Sequence, residues 1–136
     1  MPERNYEFRK RLNMVHVPDR RDPTLRPRKD EKALRDGCRI VLGPGASDHL
    51  LQTAQDLQDY LFRSMNVSAL LVREPGMASS AAQRRGRILL TTKAESPELG
   101  SDLSVPRSFR LLVDSGSVAI CGHDERGASQ GCHYLE

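Results

Sequence analysis

Between positions 50 and 65 the apolar residues are Leu50, Leu51, Ala54, Leu57, Leu61, Phe62 and Met65. Steps of three, four and seven place them on one stripe of a helix of about four to five turns. A helix that is apolar on one side must bury that side, and the chain supplies a partner in short strand-like runs. These are Cys38-Arg39-Ile40-Val41-Leu42 before the helix, and residues 67–72, 87–92, 109–113 and 118–121 after it. Each is rich in Val, Ile and Leu and bounded by Gly, Pro, Asp or Ser, the pattern of strands punctuated by turns.

The joints have their own logic. Gly43-Pro44-Gly45 closes the first run and must turn, and Ser47 and Asp48 then offer side-chain oxygens to cap the helix. Glu74-Pro75-Gly76 breaks the second run, and residues 77–86 read as an exposed loop or a weak helical turn. Asp114-Ser115-Gly116-Ser117, between two apolar runs, is a hairpin signal. Residues 126–136 form a helix-like segment with Ala128, Cys132 and Leu135 on one side, which Asp124 is placed to cap. The order is therefore strand, helix, three or four strands, helix. That segment stops at Glu136 with no Gly or Asn beyond it and no Lys or Arg in its last turn. The expectation is a piece cut from a larger protein.

Residues 1–36 differ in character. They contain prolines at 2, 18, 23 and 27, and eleven Lys/Arg against seven Asp/Glu. Proline removes a backbone donor and restricts the residue before it, so long regular elements are disfavoured. The reading is an Arg/Pro-rich arm or linker over 1–36, followed by one folded domain over 37–136. Within the arm, residues 12–17 fit either a strand or a strap along another surface. The arm carries a balance of +4 and the rest −1, which together make the chain's +3. A nucleic-acid binder needs its basic residues on the folded face, so no nucleic-acid partner is expected. No apolar run approaches the roughly 20 residues that span a bilayer, so no membrane partner is expected either. The first residues lack the apolar core of a signal peptide, and the chain is read as soluble with its localisation unassigned.

Each candidate for chemistry meets a physical objection. A phosphate loop at Gly43-Pro44-Gly45 requires a third glycine where Asp48 stands, or a Gly-Lys-Ser/Thr run that is missing. Cys121, His123, Cys132 and His133 lack the paired two-to-four-residue spacing of structural zinc ligands, and Cys132 and His133 point to different helix faces. The three cysteines, Cys38, Cys121 and Cys132, cannot all pair and read as reduced, buried thiols. No serine lies in a Gly-x-Ser-x-Gly elbow. Asp124 and Glu125 are adjacent and cannot flank a glycosidic bond from two sides. The expectation is no catalytic residue, no metal ligand and no cofactor.

The final stretch, Ser117-Val118-Ala119-Ile120-Cys121-Gly122-His123-Asp124-Glu125-Arg126-Gly127 with Gly131, Tyr134 and Leu135 following, resembles the end of the domain that precedes the catalytic barrel in glycoside hydrolase family 20 beta-N-acetylhexosaminidases and related enzymes. Arg39-Ile40-Val41-Leu42, Ala54-x-x-Leu57-x-x-Tyr60-Leu61 and Gly86-Arg87-Ile88-Leu89-Leu90 agree with the same module. The resemblance spans roughly residues 37–136. It implies an α+β fold, zincin-like without the metal site, with a mixed sheet of about four strands and two helices packed on one face. It also implies a hexosaminidase-like parent whose catalytic residues lie in a barrel outside this chain, so that the chain alone is not an enzyme. The expected partner is that barrel, with self-association through an apolar patch near Tyr134 and Leu135 when the domain is isolated. The alternative is an independent carbohydrate- or protein-binding module. It would draw on Tyr6, Phe8, Tyr60, Phe62, Phe109 and Tyr134, most of which lie on apolar stripes that point to a core.

Overall fold

The computed structural model describes residues 16–28, 33–74, 86–114 and 117–136. The expectations for residues 12–15, for Tyr6 and Phe8, for most of the loop at 77–86 and for the tip of the hairpin fall outside these residues.

The domain is a two-layer α+β structure. The elements are β1 (Cys38–Leu42), α1 (Asp48–Arg63), β2 (Ala69–Arg73), β3 (Arg87–Thr92), β4 (Phe109–Asp114), β5 (Ser117–Gly122) and α2 (Glu125–Leu135). They build one mixed sheet in the order β2-β1-β3-β5-β4. The sheet has five strands rather than about four, because both arms of the hairpin join it. β1 pairs in parallel with β2 and β3, and β3 in parallel with β5; only the β4–β5 hairpin is antiparallel, with Asp114 opposite Ser117.

Both helices cover one face. Cys38, Ile40 and Leu42 of β1, Ile88 and Leu90 of β3 and Ile120 of β5 alternate toward it, and meet Leu50, Ala54, Leu57 and Leu61 of α1 and Ala128 and Cys132 of α2. β3 is buried along its whole length. Its unbroken apolar run, Ile88-Leu89-Leu90, is what a strand covered on both faces requires.

Local chemistry explains the boundaries. The Ser47 hydroxyl accepts from the Leu50 N–H at 3.4 Å, and Asp124 accepts from the Gly127 N–H at 2.8 Å, so each helix begins at its side-chain cap. α1 ends when Asn66 adopts φ 56°, a left-handed conformation that Asn tolerates better than most residues. That turn delays β2 to Ala69, two residues later than expected, and Val67 instead donates its N–H to Leu61 O while burying its side chain.

α2 lies unusually close to its surroundings. A Cβ on Gly127 would overlap the Ser108 carbonyl, and one on Gly131 would stand 2.6 Å from Ile120 Cγ2 and 3.0 Å from the Phe109 ring. These two glycines let the helix reach the sheet.

The described part of the arm does not run free. The N–H groups of Asp19, Arg20 and Arg21 donate to the last carbonyls of α1, those of Arg63 and Ser64, and the Ser64 hydroxyl donates to Val17 O. The arm thereby satisfies acceptors that a helix C-terminus leaves open.

Candidate functional site

Three places on the domain gather polar or exposed groups. The first lies beyond the carboxyl ends of the parallel strands, where open α/β sheets commonly hold ligands. A shallow cleft there is lined by His49, Pro106, Arg107, Asp124, Glu125 and Arg126. The donors that would bind an anion are already engaged. The Ser47 hydroxyl donates to Glu125 Oε2 at 2.7 Å while accepting from Leu50, and the Glu95 carboxylate lies against Gly43 in the Gly43-Pro44-Gly45 turn. Asp124 takes the Gly127 and Arg107 N–H groups, which together hold its carboxyl below the usual range, the Gly127 bond contributing most. Acidic side chains thus occupy both helix N-termini.

Beside this cleft, Ser129 Oγ lies 3.0 Å from His49 Nε2 and 2.9 Å from Thr53 Oγ1, and Thr53 donates on to His49 O. A serine next to a histidine invites a nucleophilic reading. Ser129 is buried between the helices, however, with its hydroxyl shared by Thr53. The chain of hydroxyls serves as a polar seam joining α1 to α2.

The second place is a cluster that sequence reasoning did not assemble. His16 Nε2 lies 2.9 Å from Asp56 Oδ1, and donor atoms of His16, Asp56 and Glu136 all fall within 4.8 Å of one another. His133 Nδ1 flanks them, 3.8 Å from Asp56 Oδ2 and 3.7 Å from Glu136 Oε2. The His16 side chain is only 7% exposed and Glu136 13%, against 30% for Asp56. The His16 ring packs edge-on against Tyr60 with centroids 5.4 Å apart. Burial pushes the Glu136 carboxyl up to about 8, reinforced by Asp56 beside it. Glu136 Oε1 is buried without a hydrogen-bond partner. Only the i,i+3 spacing of His133 and Glu136 was visible beforehand. The other two residues come from the arm and from mid-α1.

The group weighed as zinc ligands is not brought together. Cys121 and Cys132 lie on opposite sides of β5, both fully buried, while His133 joins the cluster just described and His123 turns to Asp124, its Nδ1 3.7 Å from Oδ2. All three cysteines are free and buried, and desolvation raises each thiol, that of Cys132 to about 12.

The third place is an apolar ridge along β4, which ends the sheet. Phe109, Leu111 and Val113 alternate toward the helix face. The Tyr134 ring packs on Phe109 with centroids 5.8 Å apart, yet Tyr134 is 76% exposed and Val113 63%. Phe62 is likewise 62% exposed, so two of the aromatics expected in the core lie on the surface. Phe62 follows Leu61 in the helix, and the rotation of about 100° per residue carries it out of the buried stripe.

Comparison with known proteins adds little. No family model matches the chain, and no curated protein matches it. One solved structure that superimposes is a bacterial-type glycan-degrading enzyme of class GH138, described as targeting pectin rhamnogalacturonan II, with a TM-score of 0.43 and 15% identity. The match covers 71% of this chain and 12% of that enzyme. No helix among the described residues is long and apolar enough to cross a membrane.

Proposed function

We propose that this chain is a non-catalytic accessory domain of a larger carbohydrate-degrading glycoside hydrolase, and that it packs against a catalytic barrel. The observation that carries the reading is the ridge of Phe109, Leu111, Val113 and Tyr134. An edge strand bearing exposed apolar side chains invites pairing and aggregation unless something covers it. Covering by a neighbouring domain of the same polypeptide is a common resolution. The resemblance of residues 37–136 to the front domain of family 20 hydrolases, zincin-like in fold, points to the barrel as that neighbour. On this reading 37–136 is the accessory domain and the preceding arm a connection to it.

The test is the association state of the isolated chain by sedimentation velocity. The expected result is concentration-dependent self-association that Val113→Ser with Tyr134→Ser removes while the melting temperature holds. A chain that stays monomeric at high concentration, with the ridge intact, would sink the proposal.

A second reading, an independent carbohydrate-binding module, has one observation in its favour. The exposed Phe62 ring lines a shallow groove with Gln55, Gln58, Asp59 and Ser68, an aromatic face beside polar groups. Titration with a glycan panel decides it, because binding that Phe62→Ala abolishes would favour the module over the buttress.

A further inference from the structure

From the cluster of His16, Asp56, His133 and Glu136 we infer a structural site for a divalent first-row metal ion of the zinc class, which fastens the leading arm to the two helices.

The donor set comes first. Two imidazoles and two carboxylates are ligands that zinc accepts, and imidazole separates this set from the all-oxygen shells of magnesium and calcium. Their spacing comes second. Zinc bonds to nitrogen and oxygen of about 2.0–2.2 Å leave neighbouring ligands of a tetrahedral shell about 3.4 Å apart. His16 to Asp56 is 2.9 Å, His133 to Asp56 3.8 Å and His133 to Glu136 3.7 Å, so the separations scatter around that value. Shifts of well under an ångström on three short side chains would close the shell.

Burial is the third point. A surface cluster of this composition would be solvated, but the His16 side chain is 93% covered, at 7% exposure, and carries Asp56 with it. Two carboxylates drawn close together in such a place repel one another unless a cation or a proton lies between them. The buried, unpartnered Glu136 Oε1 leaves an acceptor for which the protein offers no donor. A divalent cation answers both.

Placement explains what the ion would do. His133 and Glu136 lie one turn apart at the end of α2, Asp56 is in the middle of α1, and His16 comes from the arm. One ion would therefore tie together three segments that lie far apart in sequence. The four protein ligands fill the shell and leave no open position for substrate, the mark of a structural rather than a catalytic zinc.

The experiment is calorimetric titration of the full chain, freed of metal by chelator, with zinc chloride, alongside cobalt(II) as a spectroscopic probe. The expected result is one ion per chain with a Kd of about 1 µM or tighter, and visible cobalt bands of tetrahedral intensity. Zinc should raise the melting temperature and slow proteolysis of residues 16–28, and magnesium should do neither. His133→Ala, on an exposed helix face, should fold normally and weaken binding by about tenfold or more, and Asp56→Asn with His16→Gln should abolish it. Absence of one-to-one zinc binding at about 1 mM metal overturns the proposal. Zinc binding of equal strength in wild type and His133→Ala, with an octahedral cobalt spectrum in both, overturns it as well, because the ion would then lie elsewhere.

Discussion

Replacing Gly127 by alanine sets two effects of known size against each other. Alanine is the better helix former by up to about 1 kcal/mol, less near a helix start. Against that stands the wall the new methyl would meet. It would overlap the Ser108 carbonyl oxygen and come within 3.1 Å of the carbon of that carbonyl and 3.2 Å of the Arg107 carbonyl carbon. These are backbone atoms held in place. Ser108 O accepts the His123 N–H at 2.8 Å, the Ser108 hydroxyl donates to Val105 O, and the Arg107 N–H donates to Asp124. Retreat of the loop breaks at least one of those bonds, at about 1 kcal/mol each. Overpacking of this kind costs about 1–3 kcal/mol, so the net loss should be about 1–3 kcal/mol. For a domain of this size that lowers Tm by roughly 5–15 °C. Gly131→Ala is the matched control, with the same gain in helix propensity. Its methyl meets side chains, Ile120 and Phe109, and Phe109 lies at the sheet edge where it can swing outward. That variant should stay within about 1 kcal/mol of wild type. Reversible thermal and urea unfolding followed by circular dichroism reads both. A Gly127→Ala protein as stable as wild type, or one more stable than Gly131→Ala, would refute the claim that backbone contact seats α2.

Two further outcomes follow from the same structure. Asp124→Ala removes the cap of α2 and both of its N–H bonds, and should lower Tm at pH 7. Because the Asp124 carboxyl is held below its ordinary value, its contribution is present above that value and fades as pH falls through the folded one. The gap between wild type and variant should therefore narrow in acid, and a gap that widened below about pH 4 would contradict the assignment. The thiols, raised by burial, should resist alkylation by iodoacetamide in the native chain and react together on unfolding, as counted by mass spectrometry. Rapid native labelling of Cys132 would show that the interface between α2 and α1 opens readily.

How much of this was readable beforehand depended on how local the signal was. The stripe at Leu50, Ala54, Leu57 and Leu61, the Ser47 cap, the run Cys38–Leu42 and the hairpin at Asp114 and Ser117 all show themselves within a few neighbouring positions. Each was found where the structure has it. Phe62 misled because the stripe was drawn too wide, and β2 because one Asn in a left-handed turn shifted its start. The cluster around His16 was out of reach for another reason. Its members come from three segments, and the arm that carries His16 looked structureless because its hydrogen bonds go to the end of a helix rather than to itself.

The sequence by itself determined which segments are helix and which are strand, where each is capped, and that the cysteines belong inside. Those outcomes rest on backbone sterics and on the free energy of burying a periodic apolar face, both of which act over a few residues. Only the tertiary structure decided the strand order β2-β1-β3-β5-β4, the parallel pairing of β1 with both neighbours, and the meeting of His16, Asp56, His133 and Glu136. Pairing partners are chosen by which arrangement covers the most apolar surface at once, a property of the whole fold. Residues 16 and 136 become neighbours only after that choice is made.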